Sequence, residues 1–240
     1  MTNQAPQQAN LVSRASLPIA AQRWLDRALP HDLAVPTSIQ LEQAGSMELR
    51  GSWTPFEATG IYKAPPLSFN WRARFRMMPG VWIVAEDGHQ DGQGWGGARL
   101  WGILPMGKRT DPEVLASQLV RNLAELVWLP PFALADPALA WAGSDENAFE
   151  VRSRAGDWEA VVRFEVDEQG DVLRAHSPAR PYDIAGGYAE APWTYELSEH
   201  QEIGGLRVPA AVVASFDKGD GPEEYLQMRV RSIMLDTTPR

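Results

Sequence analysis

Residues 67–77 read Leu-Ser-Phe-Asn-Trp-Arg-Ala-Arg-Phe-Arg-Met. Leu67, Phe69, Trp71, Ala73, Phe75 and Met77 alternate without a slip with Ser68, Asn70, Arg72, Arg74 and Arg76. Successive side chains of a strand point to opposite faces, so this segment is a strand with one dry and one wet face. The rhythm continues outward. Upstream, Ile39, Leu41, Met47 and Leu49 alternate with Gln40, Glu42, Glu48 and Arg50 over 38–50, and Gly51-Ser52 turns the chain into 53–62. Ala64-Pro65-Pro66 breaks the pattern before it resumes. Downstream, Pro79-Gly80 is a turn dipeptide. The near-continuous apolar run from Val81 to Asp87 predicts a strand covered on both faces. Gly88 to Gly97 reads as a hairpin connection with Asp91-Gly92-Gln93-Gly94 at its tip, and 98–104 returns.

The rhythm stops once. From Asp111 to Trp128 the period is helical, with Leu115, Leu119, Leu123 and Leu126 or Val127 in one stripe. Thr110-Asp111-Pro112-Glu113 supplies a cap with proline in the first turn, and Pro130-Pro131 stops the helix ahead of a loop or short helix to Asp136. Alternation then returns at about 138–142, 147–153, 158–166, 171–177, 193–202, 205–216 and 224–235. Turn signals such as Asp167-Glu168-Gln169-Gly170 and Gly204-Gly205 separate the strands, as in meandering hairpins. The longest irregular stretch, Ser177 to Pro192, is expected to be a lid or binding loop. Two batches of strands around one helix predict a mainly β, α+β fold. It is a large curved antiparallel sheet wrapped around a central helix, with an N-terminal helix over about 17–29. Residues 1–13 are expected to be a disordered tail, and 14–236 one domain.

The net charge of −9 and the lack of a dense basic block argue against nucleic acid and anionic membrane as partners. Without cysteine the chain has no disulfide, thiolate metal site or cysteine nucleophile. Met1 to Asn10 carries no charged region followed by an apolar one, and no run is long enough for an integral membrane segment, so a soluble cytoplasmic protein is expected. Ten tryptophans build either a large aromatic core or the walls of a cavity.

Few groups suggest chemistry. Arg72, Arg74 and Arg76 share one strand face and form either a solvated row or a grip for an anion. Asp87, His89 and Asp91 would align toward a metal ion only if their strand continued, and the glycines around them favour a turn, so no metal site is assigned. Glu125 sits near a helix C-terminus, where the macrodipole disfavours a carboxylate. Arg121 is its i−4 neighbour, with Gln118 and Asn122 close by. It is either half of an exposed salt bridge or, if the sheet wraps the helix, a buried carboxylate in need of a partner. Glu125 and Asp87 are therefore the candidate catalytic groups. His31, His89, His176 and His200 are scattered, and no nucleotide, zinc-protease or serine-hydrolase motif is present. Arg180 and Tyr182, in the long irregular stretch, either contact a ligand or tie that stretch down.

Several short patterns recur together: Leu123-Ala124-Glu125-x-x-Trp128-x-Pro130, Trp53-x-Pro55-Phe56, Phe69-x-Trp71, Asp87 with Asp91-Gly92-x-Gly94, and Pro192-Trp193. Their order, from about Leu17 to Met234, resembles the signature of a bacterial family of domains of unknown function. That family looks related to the lipoprotein carriers LolA and LolB. The resemblance implies a half-barrel closed by helices around an apolar cavity. The chain departs from those carriers in showing no signal sequence and no lipidation cysteine.

The first expectation is thus a binding protein for a hydrophobic small molecule or lipid held between sheet and helix. Trp71, Phe75, Trp82, Trp101, Leu119, Trp128 and Trp193 would form walls, and Arg74, Arg180, Tyr182, Asp87 and Glu125 would orient the ligand. The second is a cofactor-independent isomerase, cyclase or hydrolase with Glu125 or Asp87 as general base. The third is a partner-binding module using an exposed apolar patch or sheet edge. No cofactor is expected. Sequence leaves open whether the interior is hollow or filled by its own tryptophans.

Overall fold

Alternation this persistent closes into a single antiparallel sheet. The computed structural model describes residues 11–30 and 33–237, and among them are thirteen strands. The first batch is β1 (Ser38–Leu49), β2 (Ser52–Lys63), β3 (Ser68–Met78), β4 (Val81–Gln90), β5 (Gln93–Leu100) and β6 (Leu104–Arg109). The second is β7 (Ala140–Asp145), β8 (Ala148–Ala155), β9 (Trp158–Val166), β10 (Val172–Ile184), β11 (Gly187–Ile203), β12 (Leu206–Asp217) and β13 (Pro222–Asp236). Each batch is a meander, and pairing of β1 with β13 joins the two, so that β6 and β7 are the edges.

Among the described residues three α-helices lie apart from the sheet: α1 (Ile19–Ala28), α2 (Pro112–Ala124) and α3 (Pro130–Ala135). A 3-10 turn, Glu125–Trp128, extends α2. Helix α2 packs against β4 and β5 from one end of the sheet and β8, β9 and β10 from the other, so the sheet curls around it. The expected curved sheet around a central helix, with an N-terminal helix, is the observed half-barrel. Trp24 of α1 stacks on Phe149 and Phe164 and covers the β8–β9 end. On β3, Phe69, Trp71, Ala73 and Phe75 are buried while Asn70, Arg72, Arg74 and Arg76 are exposed, as their alternation requires. One glycine makes the wrap possible. A Cβ on Gly94 would sit 2.4 Å from the Cα of Leu115, so only glycine lets α2 approach β5 this closely.

Three expectations about local structure need correction. The stretch 88–97 is not a connection, because β4 runs to Gln90 and β5 begins at Gln93. Asp91 and Gly92, at φ 52° and 73°, suffice as a two-residue turn. Gly88 is there because Trp95 packs over it, with a ring atom 2.5 Å from where a Cβ would stand. Strand β6 went unseen because all its residues are exposed and the segment carries no alternation. Ser177 to Pro192 is not a lid loop but a long β10–β11 hairpin. Its prolines are accommodated by a bulge: Ser177 pairs with Trp193 and Arg180 with Ala191, leaving one extra residue on β10 at exposed Pro178-Ala179. Of the expected tail, residues 1–10 lie outside the described residues, as does His31, and the Val12 N–H donates to the Leu134 carbonyl at 2.9 Å.

Candidate functional site

A helix wrapped by a sheet has no wet face, and α2 shows the consequence. Leu115, Leu119 and Leu123 form the expected apolar stripe. Gln118, Arg121, Asn122 and Glu125 recur at i, i+3, i+4 and i+7 on another face, and all are buried. Buried charges must be paired and hydrogen-bonded or they cost several kcal/mol each.

Arg121 meets that demand. Its Nε donates to Glu125 Oε1 at 2.8 Å, and its Nη1 lies 3.5 Å from Asp87 Oδ2. The guanidinium rests on two aromatic faces, 4.6 Å from the Trp71 ring centre and 5.1 Å from that of Phe69. Glu125, fully buried, accepts a second hydrogen bond at Oε2 from the Tyr62 hydroxyl at 2.8 Å. Burial alone would lower the Arg121 pKa, but Glu125, Tyr195, Tyr62 and Asp87 more than offset it and hold the cation charged. Burial also pushes both Tyr62 and Tyr195 up, with Glu125 adding to the shift, so both phenols stay protonated. Burial raises the Asp87 carboxyl against the pull of Arg121, Arg109 and Arg180. One helical step on, Asn122 Nδ2 lies 2.7 Å from His89 Nε2. Burial lowers that imidazole to about 4, so the ring is neutral at pH 7 and accepts the N–H.

Arg180 lies in a second setting. The bulge at Pro178-Ala179 turns it inward, where it is 8% exposed. It donates from Nε to Ser117 Oγ at 3.1 Å and from Nη1 to the Tyr225 hydroxyl at 3.2 Å. Its guanidinium sits 4.5 Å from the Trp193 ring centre and 5.8 Å from that of Phe216. Tyr225 is itself turned inward by a bulge, since Ala214 pairs with Leu226 and Ser215 with Glu224. Its hydroxyl also accepts from Trp193 Nε1 at 2.8 Å. Among the described residues no carboxylate pairs with Arg180. Tyr182 packs tilted against Phe216, and Phe216 against Tyr225, with ring centres 5.2 and 5.3 Å apart. These three rings are only partly buried, and they form an aromatic ledge beside Arg180 on the inner face. The far end of the β10–β11 hairpin is tied across α2 by an Arg109–Asp183 ion pair and by Tyr188, whose hydroxyl donates to Asp111 Oδ2 at 2.7 Å.

The sequence-derived candidates divide between these settings and the outside. Glu125, Asp87 and Trp71 meet at Arg121, and Arg180, Tyr182 and Trp193 meet at the ledge. Phe75 packs on Phe56 and Trp71. Trp128 is fully buried and donates to the Pro209 carbonyl at 2.8 Å. Arg74, Trp82 and Trp101 are elsewhere: they line an outer-face cleft of about 540 Å³, with Arg74 stacked on Trp82. Trp71, Trp128 and Trp193 are each at most 2% exposed, so tryptophan fills the interior around them. Asp91 is at the hairpin tip, away from the inward His89, and no group of three potential metal ligands exists among the described residues. Sequence reading missed Tyr62, Gln43, Ser117, Phe216 and Tyr225. Gln43 accepts from Trp71 Nε1 at 2.8 Å, and only for Gln118 and Asn122 did helical spacing give a signal. Gln43 Nε2, Gln118 Oε1 and Asn122 Oδ1 are buried without hydrogen-bond partners.

The model of a family of unknown function (DUF6544) matches residues 7–228. No curated protein matches the chain. Three solved structures are similar at low identity. A LolA superfamily protein from Nitrosomonas europaea is 12% identical, with 95% of this chain and 96% of that chain covered and a TM-score of 0.46. A "putative outer membrane lipoprotein-sorting protein domain" from Vibrio parahaemolyticus is 9% identical, with 95% of each chain covered and a TM-score of 0.47. A DUF1329 family protein from Desulfovibrio piger is 9% identical, with 94% and 96% covered and a TM-score of 0.43. The cytoplasmic expectation is withdrawn: it rested on the lack of an apolar leader, while one of the similar structures is described as an outer membrane lipoprotein-sorting protein domain, and no compartment is assigned to this chain. Among the described residues no helix is long and apolar enough to cross a membrane.

Proposed function

The chain belongs to that family of unknown function, and we propose that it binds a hydrophobic small molecule or lipid on the inner face of its half-barrel, beside α2. The observation that carries this reading is the aromatic ledge. Tyr182, Phe216 and Tyr225 pack tilted against one another in series on the inner face and stay partly uncovered. Met47 and Leu49 of β1 are likewise only partly buried against the core. An apolar body laid on such a surface gains roughly 25 cal/mol for each Å² it removes from water. Large rigid rings present that area at little entropic cost. The tightly packed tryptophans behind the ledge act as its backing rather than as walls of a hollow.

The test uses decanol, an uncharged ten-carbon probe, titrated into the full chain by calorimetry and followed by tryptophan fluorescence. Wild type binds, and Phe216→Ala weakens binding by about tenfold, the loss expected from truncating one well-covered ring at a ligand contact. No heat and no fluorescence change in wild type would remove the reading.

A further inference from the structure

We infer that Arg180 is an anion-binding group and that the ligand carries a single anionic oxygen head, a carboxylate or a phosphodiester, on its apolar body. This rests on the reading of the ledge as the ligand surface and names the chemistry of the ligand's other end.

The argument begins with charge. A buried guanidinium cannot lose its proton, so it must find a counter-charge or bear the cost of desolvation. The carboxylates nearby make their contacts elsewhere: Glu125 and Asp87 with Arg121, and Asp183 with Arg109, with Asp87 also attracted by Arg180 at longer range. Arg180 is left with two neutral hydroxyls and two aromatic faces. No carboxylate touches Arg180, and Asp87, already paired with Arg121, reaches it only through longer-range attraction, so a directly bound anion would be its first contact ion pair.

Donor geometry agrees. Arginine has five N–H donors in a planar fork. The bonds to Ser117 and Tyr225 use one from Nε and one from Nη1, which leaves the second Nη1 hydrogen and both Nη2 hydrogens. These free hydrogens, two of them on Nη2, are the ones available to an oxyanion. Tyr225 adds a further donor. Its oxygen accepts from both Arg180 and Trp193, which fills its lone pairs, and its own hydrogen has no acceptor among the described residues.

Placement completes the case. Uninterrupted alternation would point Arg180 and Tyr225 outward, and a separate bulge in β10 and in β13 turns each of them in. Two independent breaks in register thus converge a cation and a hydroxyl donor at one end of the aromatic ledge. An apolar body on Phe216 and Tyr182 would have its head at Arg180.

The test measures binding of decanoate, decanol and dihexanoylphosphatidylglycerol to the full chain by calorimetry at pH 7.5. Wild type is expected to prefer decanoate over decanol by about tenfold or more, the scale of a charge-assisted hydrogen bond. In Arg180→Met the two affinities converge, while the urea midpoint and circular dichroism show an intact fold. Arg180→Lys, which keeps the charge and loses the fork, retains part of the preference. Tighter binding of the phosphodiester than of decanoate, again dependent on Arg180, assigns the head to a phospholipid, and the reverse assigns it to a fatty acid. Equal affinities in wild type, or a preference kept in Arg180→Met, overturn the inference and leave the ledge standing. Binding of none of the three probes overturns the ledge reading and the inference together.

Discussion

Two buried arginines lie within one half-barrel, each stacked on two aromatic rings, and they differ in what faces them. Arg121 holds a carboxylate at 2.8 Å and a second at 3.5 Å, and the first of these is itself bound by a tyrosine. Arg180 holds two hydroxyls and no carboxylate. The aromatic faces are nearly matched, at 4.6 Å for Trp71 under Arg121 and 4.5 Å for Trp193 under Arg180. The contrast is thus one of direct ion pairing. A cation in contact with carboxylates inside the protein is part of the scaffold, and one that touches only hydroxyls keeps donors for something that arrives from outside.

The largest effect should come from spoiling the compensated side. Glu125→Gln leaves Arg121 buried with only the more distant Asp87, and a loss of about 3–5 kcal/mol in urea unfolding is expected. A loss below about 1 kcal/mol would make the two arginines alike and dissolve the contrast.

Next comes pH. His89 backs the same side through Asn122, and its pKa is lowered to about 4 by burial. The stability it contributes is present above pH 6.5 and is lost as pH falls from there toward 4, by up to about 3 kcal/mol. Asp87, raised by burial, acts in the opposite sense: its contribution is present at low pH and is lost as pH rises through its folded-state value. Unfolding free energies of wild type and His89→Gln across pH 4–8 separate the two, because the variant should lose the fall on the acid side.

Tyr62→Phe should cost about 2 kcal/mol, since Glu125 Oε2 then loses its buried hydrogen-bond donor. The smallest effect is expected at Arg180. Arg180→Met keeps most of the contact with Trp193 and removes an unpaired charge, so stability should change by no more than about 1 kcal/mol, in either direction. A loss as large as that of Glu125→Gln would show that Arg180 too is scaffold.

The two sides were unequally legible in the sequence, and the reason is register. The Arg121 side lies on regular periods. The spacing of Gln118, Arg121, Asn122 and Glu125 marks a helix face, the i−4 partner of Glu125 is correct, and the alternation of 67–77 places Trp71 inward. That same alternation already opposes Arg74 to Trp71, so the outward position of Arg74 follows from the pattern that defines the strand. Trp82 has no such guide, because the run from Val81 to Asp87 is apolar on both faces. The Arg180 side depends on two bulges, each shifting every later side chain on its strand by one position. Prolines at 178 and 181 suggested a loop where the chain builds a hairpin with one extra residue. Tyr225 reads as one more residue near a turn, and nothing in its own neighbourhood reveals that it meets Arg180 and Trp193. Long-range pairing of β10 and β11 with β12 and β13 brings these residues together, and local periodicity carries no record of it.

The most direct test of the contrast is native mass spectrometry of gently purified wild type and Arg180→Met side by side, followed by solvent extraction of whatever is bound. The account expects one extra mass on wild type, extractable as an apolar acid or an acidic lipid, and its absence from Arg180→Met. The same mass retained by the variant, or a neutral molecule in the extract, would contradict it.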